Sequence, residues 1–478
     1  MDSSTGLRPA SGESLLIMLE KFFNIFRVPD LRKRVLFTLG LLAVYRLGAQ
    51  IPTPGINSKL LNQFFNSQGG SALGLLDMFT GGNLRRFTIF ALGIMPYITA
   101  SIIFQLLTVV YEPLARMQKE GELGRRKITQ WTRYLTVILA AFQSIAIAFG
   151  LNSQGMVTIS GPAFILLTVL TLTCGTAFIM WLGEQITDRG IGNGMSLLIF
   201  TGIVVGLPRG IADLADKVRT NAWGSFTVLA MLLLIAAMVG LVAFIVYVER
   251  SERRIPVQSA RRIVGRRQMG GVSSHLPLKV NSGGVMPVIF ASSLLSVPLL
   301  AGQMSFVQSS KFLSNVIANL QPGEPWYELL YMGLIIFFAY FYISIVFRPD
   351  DIADNMRKSG SFIPGIRPGR RTSDYINGIL TRITLVGAVY LILISLVPTF
   401  FLSGFHLNHL WLVGGLFERL PTFITNGLHM NFYFGGTSLL IVVGVAMDTA
   451  NQVESQLIMR HYDGFSPRSG RIRGRKTW

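Results

Sequence analysis

Long apolar stretches separated by polar segments dominate this chain. Ten stretches are apolar enough, at about 20 residues each, to bury their backbone hydrogen bonds as membrane-spanning helices. They lie near residues 35–51, 84–111, 135–151, 161–182, 195–207, 225–248, 284–302, 327–347, 383–402 and 435–453. The pattern predicts an all-α, polytopic membrane protein with ten transmembrane helices.

Charge is distributed unevenly among the segments that connect these stretches. Only 14% of the residues are charged, whereas an average soluble domain has roughly 25%, yet the net charge is +19. Ten spans place both termini and the connections after spans 2, 4, 6 and 8 on one side, and those segments hold 34 of the 43 Lys and Arg residues. Because positively charged loops stay in the cytoplasm, both termini are predicted to be cytoplasmic.

The ten spans divide into two groups of five, and the second group is then inverted relative to the first. The predicted parts are an N-terminal cytoplasmic segment, two five-span halves and a basic cytoplasmic tail, at residues 1–34, 35–207, 208–453 and 454–478. Apolar residues at helical spacing predict an amphipathic surface helix at 14–26. The two large cytoplasmic loops of the second half are 249–280 and 348–382.

A short apolar piece at 72–80 precedes the second span. Gly81, Gly82 and Asn83, followed by two arginines, separate this piece from the span. Nine residues are too few to cross a bilayer, so two interpretations remain open. The piece is either a re-entrant half-helix, which is tolerated only inside protein or beside a water-filled cavity, or an external amphipathic turn.

Catalytic and metal-binding patterns are absent from the sequence. It contains no P-loop, no HExxH and no GxSxG motif. His406 and His409 have a metal-like spacing without a neighbouring Cys or acidic partner, which favours an ordinary surface position. Gly202 and Gly206 form a GxxxG pattern that we interpret as close packing within the chain. A membrane-embedded enzyme is therefore disfavoured, and no cofactor or metal site is predicted.

A secondary transporter is the main alternative, because inverted halves and broken spans are common in that class. A coupling-ion path needs several intramembrane carboxylates or histidines. The spans hold few ionisable residues, among them Arg46 and Asp448. We interpret Arg46 as a capping or snorkelling group and Asp448 as paired with a polar neighbour such as Asn451. Ion-coupled transport is correspondingly disfavoured.

Six stretches between Leu15 and Asp448 are distinctive in composition and order. They are ALGIMPYITASII (91–103), EGELGRRKITQWTRY (120–134), WLGEQITDRGIGNG (181–194), HLPLKVNSGGVMPVIFASS (275–293), FIPGIRPGRRT (362–372) and FYFGGTSLLIVVGVAMD (432–448). Together they resemble the SecY family of protein-conducting channel subunits. The resemblance implies two five-helix halves around an hourglass channel that a plug closes. It also implies that unfolded preproteins cross the bacterial plasma (inner) membrane here and that hydrophobic segments leave sideways into lipid.

The resemblance assigns the parts that close such a channel. The family has a ring of six aliphatic side chains at its constriction, and the matching positions are Ile94, Ile98, Met195, Ile199, Ile289 and Ile441. Met195 stands where the family commonly has Ile. Apolar side chains at a narrow neck exclude water and so limit ion leakage. The piece at 72–80 resembles the plug, whose apolar residues are Leu73, Leu75, Leu76, Met78 and Phe79.

The family's lateral gate lies between spans 2 and 3 on one side and spans 7 and 8 on the other, where a signal sequence reaches lipid. Thr99, Gln143 and Asn281 resemble polar positions of that seam. Hydrogen bonds across helices there would hold the gate shut at about 1 kcal/mol each.

The resemblance also implies partners. The family's cytoplasmic loops contact the SecA motor ATPase or, alternatively, ribosomal RNA, and small membrane subunits such as SecE and SecG complete the channel. Guanidinium groups suit both docking partners, and the matching arginines are Arg250, Arg253, Arg254, Arg367, Arg370 and Arg371. The external loop at 403–431 is longer than is common in the family and carries an apolar patch, so it is expected to pack on the channel mouth or to dock an accessory protein.

Overall fold

A computed structural model provides the structure of the chain. It describes residues 28–57, 60, 61, 63, 77, 80–153, 155–158, 161–220, 227–259, 262–264, 267–269, 273–302, 311–321, 324–403 and 436–463. The helices in these ranges are α1 Pro29–Gly48, α2 Met95–Val110, α3 Glu112–Lys119, α4 Glu122–Ser153, α5 Pro162–Arg189, α6 Gly194–Arg219, α7 Thr227–Arg250, α8 Met286–Ala301, α9 Lys311–Asn319, α10 Pro325–Val346, α11 Pro349–Lys358, α12 Arg370–Ser403 and α13 Gly436–Asp463.

Each of the ten apolar stretches coincides with a helix, and several of these helices continue past the apolar residues into charged sequence. Helix α12 begins at Arg370, thirteen residues before the predicted span at 383–402, and α13 continues to Asp463. Proline marks the start of α1, α5 and α10, where its missing N–H group costs no hydrogen bond. Apolar composition therefore locates the helices, while proline and polar turns determine where they begin and end.

The second apolar stretch is helical over only part of its predicted length. Residues 81–94 form turns, and α2 begins at Met95. Phe87 and Gly93 have positive φ angles of 46° and 57°, which a right-handed helix does not allow. At its other end α2 meets α3 at an angle of 104°, because Pro113 cannot continue the helix that precedes it.

Length and hydropathy identify fewer spans than the sequence pattern does. Within the described residues, five helical stretches are long and apolar enough to cross a membrane, and the bent pair α2–α3 raises this to six if it counts as one span. The five are Glu122–Ser153, Pro162–Arg189, Gly194–Ala212, Pro325–Lys358 and Arg370–Leu396. The molecule is thus a mostly helical polytopic membrane protein.

The two large loops of the second half contain β-structure, so the prediction of an all-α fold was wrong in this respect. Strands β1 Glu252–Ser259, β4 Ser273–Lys279 and β5 Ser361–Phe362 form one sheet in the order β4-β1-β5, and β2 Arg262–Val264 pairs with β3 Arg267–Met269. Strands this short do not contain the 20-residue apolar runs on which the prediction rests. Their inward residues are nonetheless apolar, since Ile255 of β1 and Leu278 of β4, together with Ile363 directly after β5, are buried in one cluster with Ile376 and Leu380 of α12.

Eight of the helices form a closed circuit. Neighbours in contact follow the order α2, α4, α5, α6, α13, α12, α10 and α8, and α8 returns to α2 and α4. Helix α1 packs on α5 and α6, and α7 packs on α13 and α6. The two halves therefore meet at two places, where α6 meets α13 with α7 beside it and where α8 meets α2 and α4.

Candidate functional site: an apolar neck with a docking module

A small cavity lies where the two halves face each other. Its lining consists of Thr80, Ile94, Met95, Ile98, Ile199, Ile289, Ser292 and Ser293. The cavity has a volume of about 10 Å³, which is at the lower limit for a single water molecule. Four isoleucines of this lining, at α2, α6 and α8, therefore leave only a very small space: Ile94, Ile98, Ile199 and Ile289.

All six side chains that the resemblance assigns to the ring belong to, or pack against, one large hydrophobic cluster, and Ile94, Ile98, Ile199 and Ile289 also line the cavity. Four of them are buried members of one hydrophobic cluster, namely Ile94, Ile199, Ile289 and Ile441. Ile98 and Met195 are partly buried and pack against the same cluster. The Met195 position is shaped by Gly183 of α5, because a Cβ on that glycine would lie 2.5 Å from the Met195 sulfur. Residues of α2, α6 and α8 therefore form an apolar neck around the cavity, and Met195 and Ile441 lie in the same cluster outside the cavity lining.

A turn connects the predicted plug to α2 and touches this neck. Thr80 lines the cavity, and its hydroxyl donates to the carbonyl of Asp77 at 3.1 Å. The Asp77 side chain is buried and its Oδ1 accepts the Arg85 N–H at 2.8 Å. A Cβ on Gly81 would lie 2.6 Å from the Gly202 Cα of α6. The predicted close packing at Gly202 therefore exists, and its partner is this turn.

Several predicted features lie outside the described residues. These are the amphipathic helix at 14–26, the five apolar plug residues Leu73, Leu75, Leu76, Met78 and Phe79, the two histidines His406 and His409, nearly all of the external loop at 403–431, and residues 464–478 of the basic tail. Of the piece at 72–80, the structure describes Asp77 and Thr80, both in helical conformation. No group of three or more potential metal ligands occurs in the part of the chain that is described.

The seam between the halves runs along α8. The Ser293 hydroxyl of α8 donates to the Met95 sulfur of α2 at 3.7 Å, a weak contact between the two halves formed by two residues that line the cavity. Thr99 lies on α2, but its hydroxyl donates to the Met95 carbonyl of its own helix at 3.0 Å. Gln143 of α4 is buried, and its Oε1 has no hydrogen-bond partner among the described residues.

Asn281 lies in the turn before α8 and bonds within the second half. Its Nδ2 donates to Glu249 Oε1 at 2.7 Å and to the Gly284 carbonyl at 3.1 Å. Thr99, Gln143 and Asn281 are therefore all at or near the seam, but the hydrogen bonds described for Thr99 and Asn281 do not cross it. Asp448 forms an ion pair with Lys279 at 3.9 Å. Its partner is therefore a residue of strand β4 rather than the predicted neighbour Asn451 on its own helix.

The six predicted docking arginines belong to one folded module. Strand β1 pairs with β4 along its length and with β5 through Gln258–Phe362 and Ser259–Ser361, which joins the two loops. Helix α11 packs on α12 in the same module. All six arginines are exposed, at Arg250, Arg253, Arg254, Arg367, Arg370 and Arg371.

The segment that carries Arg367 is braced by its own backbone. Gly365 and Gly369 have φ angles of 83° and 106°, values that favour glycine. The Thr372 hydroxyl donates to the Arg367 carbonyl at 2.9 Å, and the Thr372 N–H donates to the Gly369 carbonyl at 2.9 Å. Arg367 is therefore an exposed cation on a defined turn. Arg254, by contrast, forms an ion pair with Glu252 at 2.7 Å.

Sequence reasoning missed Met95, Ser292, Ser293 and Glu249. The first three line the cavity, and the contact between Ser293 and Met95 crosses the seam. In the sequence, each looks like an ordinary residue of an apolar helix. Glu249 had a usable signal, because it is an acidic residue in a loop that is otherwise rich in arginine. Its bond to Asn281 depends on residues 32 positions apart, which no local pattern reveals.

A helical membrane protein with two packed halves, an apolar neck between them and an exposed basic module has features expected of a channel. Sequence comparison specifies the family. The SecY family profile matches residues 88–450. Protein translocase subunit SecY of Escherichia coli K12 is 47% identical over 439 residues, which cover 91% of this chain and 93% of that protein. The corresponding subunit of Streptomyces galbus is 48% identical over 463 residues, covering 94% of this chain and all of that one.

The chain belongs to the SecY family. It is thus a protein-conducting channel subunit of the Sec translocase, a multi-pass membrane protein that acts in protein transport and is not an enzyme. The predicted function class and the predicted absence of catalysis are confirmed by these relatives.

Solved structures support the fold at lower identity. A structure described as that of a protein conducting channel superposes with a TM-score of 0.60 at 17% identity, covering 91% of this chain and 94% of that one. The Sec61 chain of a canine ribosome-channel complex gives a TM-score of 0.58 at 16% identity, with the same coverage. The channel fold is therefore shared well beyond recognisable sequence similarity.

Proposed function

We propose that the chain forms the conduit through which unfolded preproteins cross the bacterial plasma membrane, and that it releases hydrophobic segments sideways into lipid. Ten membrane-spanning helices in two inverted halves, with both termini in the cytoplasm, would build it. The observation that carries the proposal is the closed circuit of eight helices around an apolar neck. A neck without fixed charge suits a passage for segments of either sign.

The six neck side chains act as a seal in this proposal. Ile94, Ile199 and Ile289 line a space that holds no more than about one water molecule, and an apolar constriction of this size favours dewetting. The piece at 72–80 acts as the plug, which is supported by the position of Thr80 in the lining of the same cavity. Displacing the plug and widening the ring would open the passage.

The lateral gate is assigned to the seam where α8 packs against α2 and α4. Its weakness supports this assignment, since the hydrogen bond that crosses it uses a sulfur acceptor at 3.7 Å. Thr99, Gln143 and Asn281 are proposed as the polar residues of the gate. Within the described part of the chain the buried Gln143 Oε1 has no partner, and leaving such an oxygen unpaired costs about 1–3 kcal/mol. This cost lowers the energy needed to separate the helices at that point.

The basic module is proposed as the docking surface for the SecA motor ATPase or, alternatively, for ribosomal RNA. Its exposed arginines can pair with carboxylates or phosphates. Small subunits resembling SecE and SecG would complete the channel in the membrane, with SecE holding the two halves together. Channels of the same fold, Sec61 and the Ssh1 complex, bind ribosomes, which supports docking of this kind.

Reconstitution tests the proposed function directly. The full chain with its small membrane subunits, placed in lipid vesicles, is expected to move a preprotein inside only when SecA and ATP are both present. The measurement is protease protection of the preprotein. Vesicles that take up small solutes along an ion gradient but protect no preprotein would identify a secondary transporter instead.

Substitution of Gly81 tests the plug assignment. Gly81→Ala is expected to raise resting ion conductance several-fold, because the new Cβ would collide with the backbone of Gly202, which cannot move aside as a side chain can. The φ angle of 73° adds about 1–2 kcal/mol of strain. The measurement is single-channel recording in a planar bilayer.

Gly121→Ala is the matched control for this substitution. Gly121 has a similar φ of 82°, but a Cβ there meets nothing within 4 Å. The control therefore imposes the same backbone strain without the collision. If Gly81→Ala and Gly121→Ala have equal conductance, the packing of the turn after the plug against α6 does not control the seal.

A further inference from the structure

Strands β1 and β4 form an antiparallel pair that we call the docking hairpin. The carboxyl group of Glu249 links two elements that meet at the base of this hairpin. Glu249 follows the sixth apolar stretch and lies in the last turn of α7. Its Oε1 accepts from Asn281 Nδ2 at 2.7 Å, and the same nitrogen donates to the Gly284 carbonyl at 3.1 Å. Asn281 is only 4% exposed. One amide group therefore connects the end of α7 to the turn that begins α8.

This position is unfavourable for a carboxylate. The C-terminal end of a helix carries partial negative charge, which repels an acidic side chain. Burial raises the pKa of the Glu249 carboxyl above its usual value, and the nearby Asp448 acts in the same direction. The Asn281 hydrogen bond and the charge of Lys279 oppose that shift. The stability of α7 alone does not explain an acidic residue at this site.

The turn that Asn281 belongs to is confined on the other sides as well. A Cβ on Gly387 of α12 would lie 2.9 Å from the Val280 carbonyl, and a Cβ on Gly444 of α13 would collide with Val285. Glycine at both positions lets two helices approach the turn closely. Residues 280–285 therefore cannot shift without moving α12, α13 or the end of α7.

A movement of this turn would reach the neck through α8. The Ile289 N–H donates to the Val285 carbonyl at 3.2 Å, and Ile289 lines the cavity one helical turn later. Ser293 lies a further turn along and contacts Met95 across the seam. Because an α-helix moves as a stiff element, the turn, the neck and the seam are mechanically continuous.

The docking hairpin connects to the same turn, residues 280–285, from the cytoplasmic side. Its base is closed by the Val280 N–H, which donates to the Ser251 carbonyl at 3.0 Å. Val280 directly precedes Asn281, and Ser251 lies two positions after Glu249. Force on the hairpin is therefore delivered where the Glu249–Asn281 bond holds α7 and the start of α8 together.

We propose that Glu249 is a positioning residue for channel opening: its bond to Asn281 transmits the docking of a motor on the hairpin to α8, and so to the neck and the seam. Neither the ring nor the docking arginines supply this link. The inference rests on the proposed docking of SecA at the hairpin. It predicts that breaking the bond separates motor binding from transport.

The test compares binding and transport in the full chain with its small subunits, reconstituted in vesicles. Glu249→Ala is expected to reduce SecA- and ATP-dependent preprotein transport about fivefold, while the Kd for SecA stays within about twofold of the unsubstituted channel. Glu249→Gln retains an oxygen that can accept from Asn281, so it is expected to keep most of the transport. Asn281→Ala breaks the same bond from the other end and serves if Glu249→Ala does not accumulate.

Two further variants sharpen the result. In the double variant with Glu249→Ala and Asn281→Ala, transport should be no lower than in the worse single variant, because both changes remove one bond. Asp216→Ala removes an exposed carboxylate from the C-terminal part of α6, outside the docking module, and should leave transport unchanged.

Three results would overturn the inference: normal transport by Glu249→Ala, a Glu249→Gln variant as defective as Ala, or a loss of SecA affinity that accounts for the loss of transport. Failure of the unsubstituted channel to transport at all would instead contradict the proposed function.

Discussion

Ile199→Asn is expected to raise the resting ion conductance of the channel at least about tenfold. Ile199 is 7% exposed and lines the neck cavity beside Ile94, Ile98 and Ile289. An amide there offers hydrogen bonds to water in a space that is otherwise apolar along most of its wall. Stabilising the wetted neck by about 1.4 kcal/mol, close to the net value of one hydrogen bond, corresponds to a tenfold change in its population.

Conductance in planar bilayers, recorded without a preprotein, measures this effect. Ile199→Leu is the control, because it conserves volume and apolar character and should stay within about twofold of the unsubstituted channel. Thermal unfolding of the purified variants separates leakage through the neck from loss of the fold. A neck that leaks equally with Leu and Asn would mean that shape, rather than polarity, controls the seal.

Reversing the charge of Arg367 is expected to reduce SecA-driven transport at least about tenfold. Arg367 is exposed on a turn braced by Gly365, Gly369 and the Thr372 hydroxyl, so it presents its guanidinium in a defined position. Placing Glu there would set a carboxylate against the acidic groups that the arginine is proposed to pair with. Juxtaposed like charges at an interface cost several kcal/mol.

Arg357→Glu is the matched control for Arg367→Glu. Arg357 lies on α11 of the same module, is 62% exposed and pairs with Asp354 at 3.4 Å. It undergoes the same change in net charge outside the braced turn. Exposed substitutions of this kind usually change stability by less than about 0.5 kcal/mol, so both variants should accumulate in the membrane. Equal transport by the two variants would contradict a specific role for Arg367.

The positions of the helices could be predicted from composition because helix formation in lipid is a local requirement. Each backbone N–H and C=O in the hydrocarbon must bond within its own segment, so about 20 apolar residues suffice to indicate a helix. The exceptions had local causes. Residues 81–94 are apolar in part but contain glycines and Phe87 with positive φ, so α2 begins only at Met95.

The strands of the docking module could not be found in this way. Strand β5 has two residues, and it pairs with β1 more than 100 positions earlier in the chain. Their alignment depends on the burial of Ile255, Leu278 and Ile363 against α12. A search for long apolar runs passes over such elements, because their stability comes from contacts with distant residues.

The candidate site was reached from the sequence only through resemblance. Each neck isoleucine taken alone has the composition of ordinary helix packing, and nothing local distinguishes Ile289 from Leu295 on the same helix. Convergence on one cavity distinguishes it, because that cavity collects side chains from residues 80 to 293. Glu249 is the opposite case, since its unusual charge was visible in the sequence while its partner was not.

The sequence by itself determined that this chain is a polytopic helical membrane protein that resembles the SecY family, and it predicts that the basic loops share one side. These properties follow from local apolarity, from the count of charges in each loop and from collinear motifs. The tertiary structure decided which side chains meet at the neck, how the two large loops of the second half become one module and how Glu249 connects that module to α8. Such features depend on contacts between residues far apart in the chain, and only the packing of the two halves brings those residues together.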